Sequence, residues 1–82
     1  MTEGAKQKKQ LNDNIAIRIK YLREKIEPVQ SKFADENMID RQIISRWEST
    51  SDNRGISIHS INKFCKMIKI NLQDFFDDEL FH

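Results

Sequence analysis

Arg41, Gln42, Ser45 and Arg46 are the side chains of this chain whose types and spacing point to chemistry. On a helix, at about 100° per residue, they share one side, while Ile44 and Trp47 turn to the other. An Arg can donate two hydrogen bonds to O6 and N7 of guanine, and a Gln can pair through N6 and N7 of adenine. Such a row is suited to reading base edges in the major groove of a DNA duplex. The same residues also suit an ordinary solvated helix face, so the elements around them decide the reading.

Other residues offer less. His59 and His82 stand in no metal-ligand spacing with Cys65, and one Cys with two His makes no zinc motif. Cys65 is expected in the core. Asp35-Glu36 and Asp77-Asp78 are paired carboxylates, but no nucleophile, phosphate-binding loop or pocket-forming segment accompanies them. A non-enzyme without metal or cofactor is expected.

Size and charge narrow the frame. Eighty-two residues, 38% hydrophobic and 33% charged, make one globular domain with a small core. Two Gly and one Pro leave little turn chemistry for a many-stranded fold, which favours helices. The net charge of +1 hides an asymmetry. Up to Asn71 there are fourteen Lys and Arg against nine Asp and Glu, net +5; residues 72–82 hold Asp74, Asp77, Asp78 and Glu79 and no Lys or Arg, net −4. A basic body with an acidic tip suits a polyanion on one side only. A single Cys and the lack of a long apolar run or leader-like segment point to a cytoplasmic protein with no membrane partner.

The elements that must position the row follow from periodicity and breakers. Residues 1–10, with Lys6, Lys8 and Lys9, read as a flexible basic arm that either follows a DNA backbone or stays solvated. Asn12, Asp13 and Asn14 offer caps for a first helix ending near Ile26, with Leu11, Ile15, Ile19, Leu22 and Ile26 as its apolar face. Pro28 opens a second helix over about 29–36 that buries Phe33 and Ala34. A turn at Asn37-Met38-Ile39 leads to a third helix capped by Asp40 and running to about Ser49. Residues 49–56 are a loop. Ser57 caps a fourth helix with the stripe Ile58, Ile61, Phe64, Cys65 and Ile68, and Asn71 caps a short fifth that buries Leu72 and Phe75. The expected fold is an all-α, compact five-helix bundle spanning residues 11–82.

Across about residues 15–76 the chain resembles the Xre/Cro-like helix-turn-helix family, which includes many phage repressors and bacterial regulators. The resemblance rests on Tyr21-Leu22-Arg23-Glu24-Lys25, Gln30 with Phe33-Ala34, Ile44-Ser45-Arg46-Trp47-Glu48, and the pattern from Ser57 to Phe76. It implies a lambda-repressor-like domain that regulates transcription, with the helix from Asp40 in the major groove and base contacts from Arg41, Gln42, Ser45 and Arg46. It further implies phosphate contacts from Gln30, Ser49, Asn53 and Arg54, and an internal ion pair between Arg23 and Glu48. Three positions depart from the family pattern. Met38 stands where Gly is usual, Asn37 where a core Leu is usual, and Asp40 where Ser or Thr is commoner. Asn tolerates the left-handed conformation better than Met, so the turn is expected one residue earlier.

Reading a useful length of duplex requires two copies on half-sites about one helical turn apart. Met67, Phe76, Leu80 and Phe81 exceed what a small core is expected to absorb, and are therefore the expected homodimer interface. The alternative is an antitoxin or another protein-interaction module of a mobile element. Only six residues follow Phe76, which weighs against a dedicated toxin-wrapping tail.

Overall fold

Phe64, at the middle of the fourth helix, is where the chain converges. Its ring centroid lies 6.2 Å from Phe33, 6.3 Å from Trp47 and 6.3 Å from Phe75, so four helices meet at one aromatic centre. This is seen in a computed structural model of the chain, which describes residues 3–51 and 55–82. The elements are α1 (Glu3–Ile26), α2 (Gln30–Glu36), α3 (Arg41–Trp47), α4 (Ile58–Ile68), α5 (Leu72–Phe76) and a closing 3-10 turn (Glu79–Phe81). The fold is all-α, with five helices and no strand among the described residues. No helix among them is long and apolar enough to cross a membrane.

Local chemistry explains most boundaries. Asp40 accepts from the Gln42 N–H, Ser57 from Ser60 and Asn71 from Asp74, each satisfying a first-turn donor. Pro28 lies in the bend between α1 and α2, whose helical residues begin at Gln30. Two helices close in the Schellman manner, with 6→1 and 5→2 backbone bonds around a left-handed residue. After α2, Ile39 N–H bonds Ala34 C=O at 3.0 Å and Met38 N–H bonds Asp35 C=O at 3.2 Å. After α4, Ile70 bonds Cys65 at 3.0 Å and Lys69 bonds Lys66 at 3.3 Å. The left-handed residues are Met38 (φ 53°) and Lys69 (φ 63°), neither of them Gly.

Several expectations are corrected here. α1 begins at Glu3, so Asn12, Asp13 and Asn14 lie inside it rather than capping it, and the stretch read as an arm is helical from residue 3. Good helix formers in that stretch and the pairs Lys9–Asp13 and Gln10–Asn14, four residues apart, support the extension. Of the expected apolar face, Ile15 and Ile19 are buried and Leu22 is half-buried, but Leu11 and Ile26 are exposed. Ile58 at the head of α4 is exposed too. α3 ends at Trp47, two residues short of Ser49. The turn is not shifted: Asn37 has φ −103° and Met38 itself takes the left-handed conformation.

The acidic tip folds back on α1. Arg18, 9% exposed, donates from Nε to the Phe75 carbonyl at 2.8 Å and from a terminal nitrogen to the Asp74 carbonyl at 3.1 Å. It also pairs with Asp78 at 3.2 Å. Asn14 donates to the Leu80 carbonyl at 2.9 Å. Phe76 and Phe81 stand 4.9 Å apart, edge to face, and both contact Phe75.

Candidate nucleic-acid interface

α3 is two-sided. Ile44 is fully buried and Trp47 is 7% exposed, packed edge-on against Phe64. Arg41, Gln42, Ser45 and Arg46 are exposed on the opposite arc, as their spacing predicts. Ile43, 41% exposed, continues that outer surface. Arg46 also borders a narrow recess with Asn12, Ala16, Trp47, Ser49, Gly55 and Ile56, and it already has an interaction within the domain.

Both ends of α3 are held. At the start, Asp40 Oδ1 accepts from the Gln42 N–H at 2.8 Å, while the Schellman closure of α2 sets the approach of the four-residue connection Asn37–Asp40. At the far end, Glu48 meets Arg23 through two parallel bonds of 2.8 Å, Nε to Oε2 and a terminal nitrogen to Oε1. The two side chains are 3% and 5% exposed. Arg23 also donates to the carbonyls of Glu27 (3.1 Å) and Pro28 (2.8 Å). The hydrogen bond from Glu48 pushes the Arg23 pKa above its ordinary value in spite of burial, so the guanidinium stays charged at any working pH. One residue thus ties the end of α1, the bend at Pro28 and the end of α3 into one unit.

Gln30 joins the same network, donating from Nε2 to Glu48 Oε1 at 3.1 Å. One of its two amide N–H groups is thereby committed inside the domain. Ser49 is half-buried, with its hydroxyl against that of Ser51 at 2.9 Å. Asn53 and Arg54 lie outside the described residues.

The residues expected to pair two copies are all half-buried: Met67, Phe76, Leu80 and Phe81. Met67, Phe76 and Phe81 pack against the domain's own core. These three are thus taken up in part by the domain itself, Phe76 and Phe81 because Arg18 and Asn14 hold the C-terminal segment on α1, while part of each of the four stays accessible. Large apolar side chains that do stay exposed include Leu11, Ile17 and Tyr21 on α1. They line two shallow grooves of about 310 Å³ each, on either side of Leu80.

Two residues went unassigned in the sequence reading. Arg18 had no signal beyond its place beside the α1 apolar stripe. Lys9 was counted only among the arm's charges, yet its Nζ donates to the Thr50 carbonyl at 3.1 Å. No group of three or more His, Cys, Asp or Glu among the described residues can hold a metal ion. Comparison with protein-family models, curated proteins and solved structures finds no match to this chain.

Proposed function

We propose that this protein is a sequence-specific, duplex-DNA-binding transcriptional regulator, that α2, the connection and α3 form a helix-turn-helix, and that α3 reads the major groove. The observation that carries the reading is the two-sidedness of α3. Its inner residues lock into the aromatic centre and leave a solvent-facing row of Arg41, Gln42 and Ser45. A reading helix must be held rigidly, because a bidentate base contact tolerates little misplacement. The buried Arg23–Glu48–Gln30 network and the Asp40 cap supply that rigidity. Arg41, Gln42, Ser45 and Arg46 are assigned to base edges. Gln30, Ser49, Asn53 and Arg54 are assigned to the phosphates. The protein acts without catalysis, in the cytoplasm, and as a homodimer on two half-sites, since α3 makes only two turns and covers a few base pairs.

Selection of binding sites from random duplex DNA at stated salt tests the reading. The expected outcome is a two-fold symmetric motif. Arg41→Ala and Gln42→Ala each relax one position of it, at a cost of about 1–3 kcal/mol. Recovery of no motif by the folded protein overturns it. Uniform weakening across all sites reassigns the two side chains to the backbone.

A further inference from the structure

One exposed side chain of α3 carries no hydrogen-bonding group. At about 100° per residue, the positions of α3 fall around its axis in the order Arg41, Ser45, Gln42, Arg46, Ile43, Trp47, Ile44. The first five are exposed and the last two are buried. Ile43 therefore closes the outer row at the edge opposite Arg41, with Arg46 as its nearest exposed neighbour on the helix surface.

The core does not account for it. Ile39 and Ile56 are partly buried and pack against the hydrophobic cluster, whereas Ile43 is 41% exposed and is not one of the side chains that do so. It adds little to the helix itself, since a β-branched residue is a weaker helix former than Ala, Leu or Gln. A surface suited to docking another protein carries contiguous apolar side chains. On α3 every other exposed position is polar, so Ile43 stands alone among hydrogen-bonding groups.

The Ile43 N–H bonds the Asp40 carbonyl at 3.0 Å. Ile43 thus belongs with Arg41 and Gln42 to the first turn, the part of a reading helix that meets base edges. Its β-branch holds it near one χ1 setting in a helix, so it presents a fixed apolar surface. What such a surface can recognise in a major groove is narrow. The acceptors and amine donors of guanine, adenine and cytosine lose water against it without gaining a bond. Thymine alone of the four bases adds a methyl group, at C5.

We propose that Ile43 reads the C5 methyl of a thymine, at a base next to those addressed by Gln42 and Arg46. It thereby favours T·A over the other pairs at one position of each half-site. The inference rests on the DNA-binding reading of α3 and adds to it a base that hydrogen bonding does not select.

Uracil tests it, because uracil differs from thymine by that methyl alone and pairs in the same way. Each thymine in one half-site of the selected motif is replaced by uracil in turn, and binding of the intact chain is compared with that of Ile43→Ala. Circular dichroism checks that the variant is folded. One uracil is expected to weaken the intact chain about fourfold, the effect of one buried methyl group. The same uracil is expected to leave Ile43→Ala unaffected, a coupling that the double-mutant cycle reads directly. Site selection with Ile43→Ala is expected to lose the preference at that position alone, while the positions relaxed by Arg41→Ala and Gln42→Ala stay defined. A motif without thymine overturns the inference and leaves the α3 reading intact. So does a uracil penalty that is equal in the two proteins or absent at every position. Ile43→Ala binding that is weakened equally on thymine and uracil sites overturns it too, since that marks a role in folding or assembly. If the intact chain selects no motif, both readings fall.

Discussion

Met38 holds a backbone conformation for which its side chain gets nothing in return. Its φ is 53° and its side chain is 95% exposed, so no packing offsets the steric cost of the left-handed region. Met38→Gly is expected to raise stability by about 1 kcal/mol, the relief of strain outweighing the added chain entropy. Urea unfolding with an unchanged m-value checks this, and a loss of stability contradicts it. Asn37 looked the better host because Asn accepts positive φ, but its amide is engaged elsewhere, donating to the Phe33 carbonyl at 2.8 Å. Sequence alone did not reveal that competing bond. Arg23 is the opposite case, since the resemblance implied its pairing with Glu48 and the structure places the two at 2.8 Å. Glu48→Ala strands a buried guanidinium, an expected loss of about 3–5 kcal/mol. The double replacement Arg23→Met/Glu48→Leu is expected to lose much less. Equal losses in the single and double variants, measured by chemical denaturation, would show that the charges do not act as a pair.

Among the elements, α3 was the most legible. Ile44 and Trp47 three apart, with polar residues between them, left one plausible inner face, and Asp40 was the nearest cap. The cap and the charge of Asp40 separate experimentally. Asp40→Ala is expected to lower stability by about 1 kcal/mol, whereas Asp40→Asn retains the cap and the stability. On the DNA-binding reading, Asp40→Asn also binds duplex more tightly, because a carboxylate is removed from beside the phosphates. Thermal melts of both variants and a binding titration of the second decide the matter; equal destabilisation by Ala and Asn would remove the cap. α1 was read less well. Three consecutive capping residues at 12–14 resembled a start, yet Lys, Gln and Ala ahead of them are themselves helix formers. Caps mark a boundary only where the chain beyond them leaves the helix, and here it does not.

For the molecule as a whole, the aromatic centre and the free thiol beside it offer a further check. Cys65 is fully buried, and burial pushes its pKa above the ordinary thiol value. The folded state therefore holds the thiol proton more tightly than the unfolded chain does. Stability from this source is complete below the unfolded thiol's pKa of about 8.5, and it falls as pH rises above that toward the higher folded value. Stability measured from pH 7 to 10 is expected to carry this decline, and Cys65→Ala to remove its part of the slope. Alkylation of Cys65 is expected to proceed only through unfolding. Rapid modification of the folded protein would contradict the burial.

Helical class, the number of helices, the inner residues of α2 and α3, and Ile61, Phe64 and Cys65 of α4 (though not the exposure of Ile58) were readable from the chain, because periodicity and caps are local and act within a few residues. The two-sidedness of α3 followed from the same spacing. The fate of the C-terminal aromatics did not. Phe76 and Phe81 looked surplus until Arg18 was found bonding the carbonyls of Asp74 and Phe75 across more than fifty residues of chain. Nor did spacing alone show that Lys9 meets Thr50, or that Gln30 turns toward Glu48. Each of these bonds joins residues from different elements, and only chain folding sets which elements become neighbours.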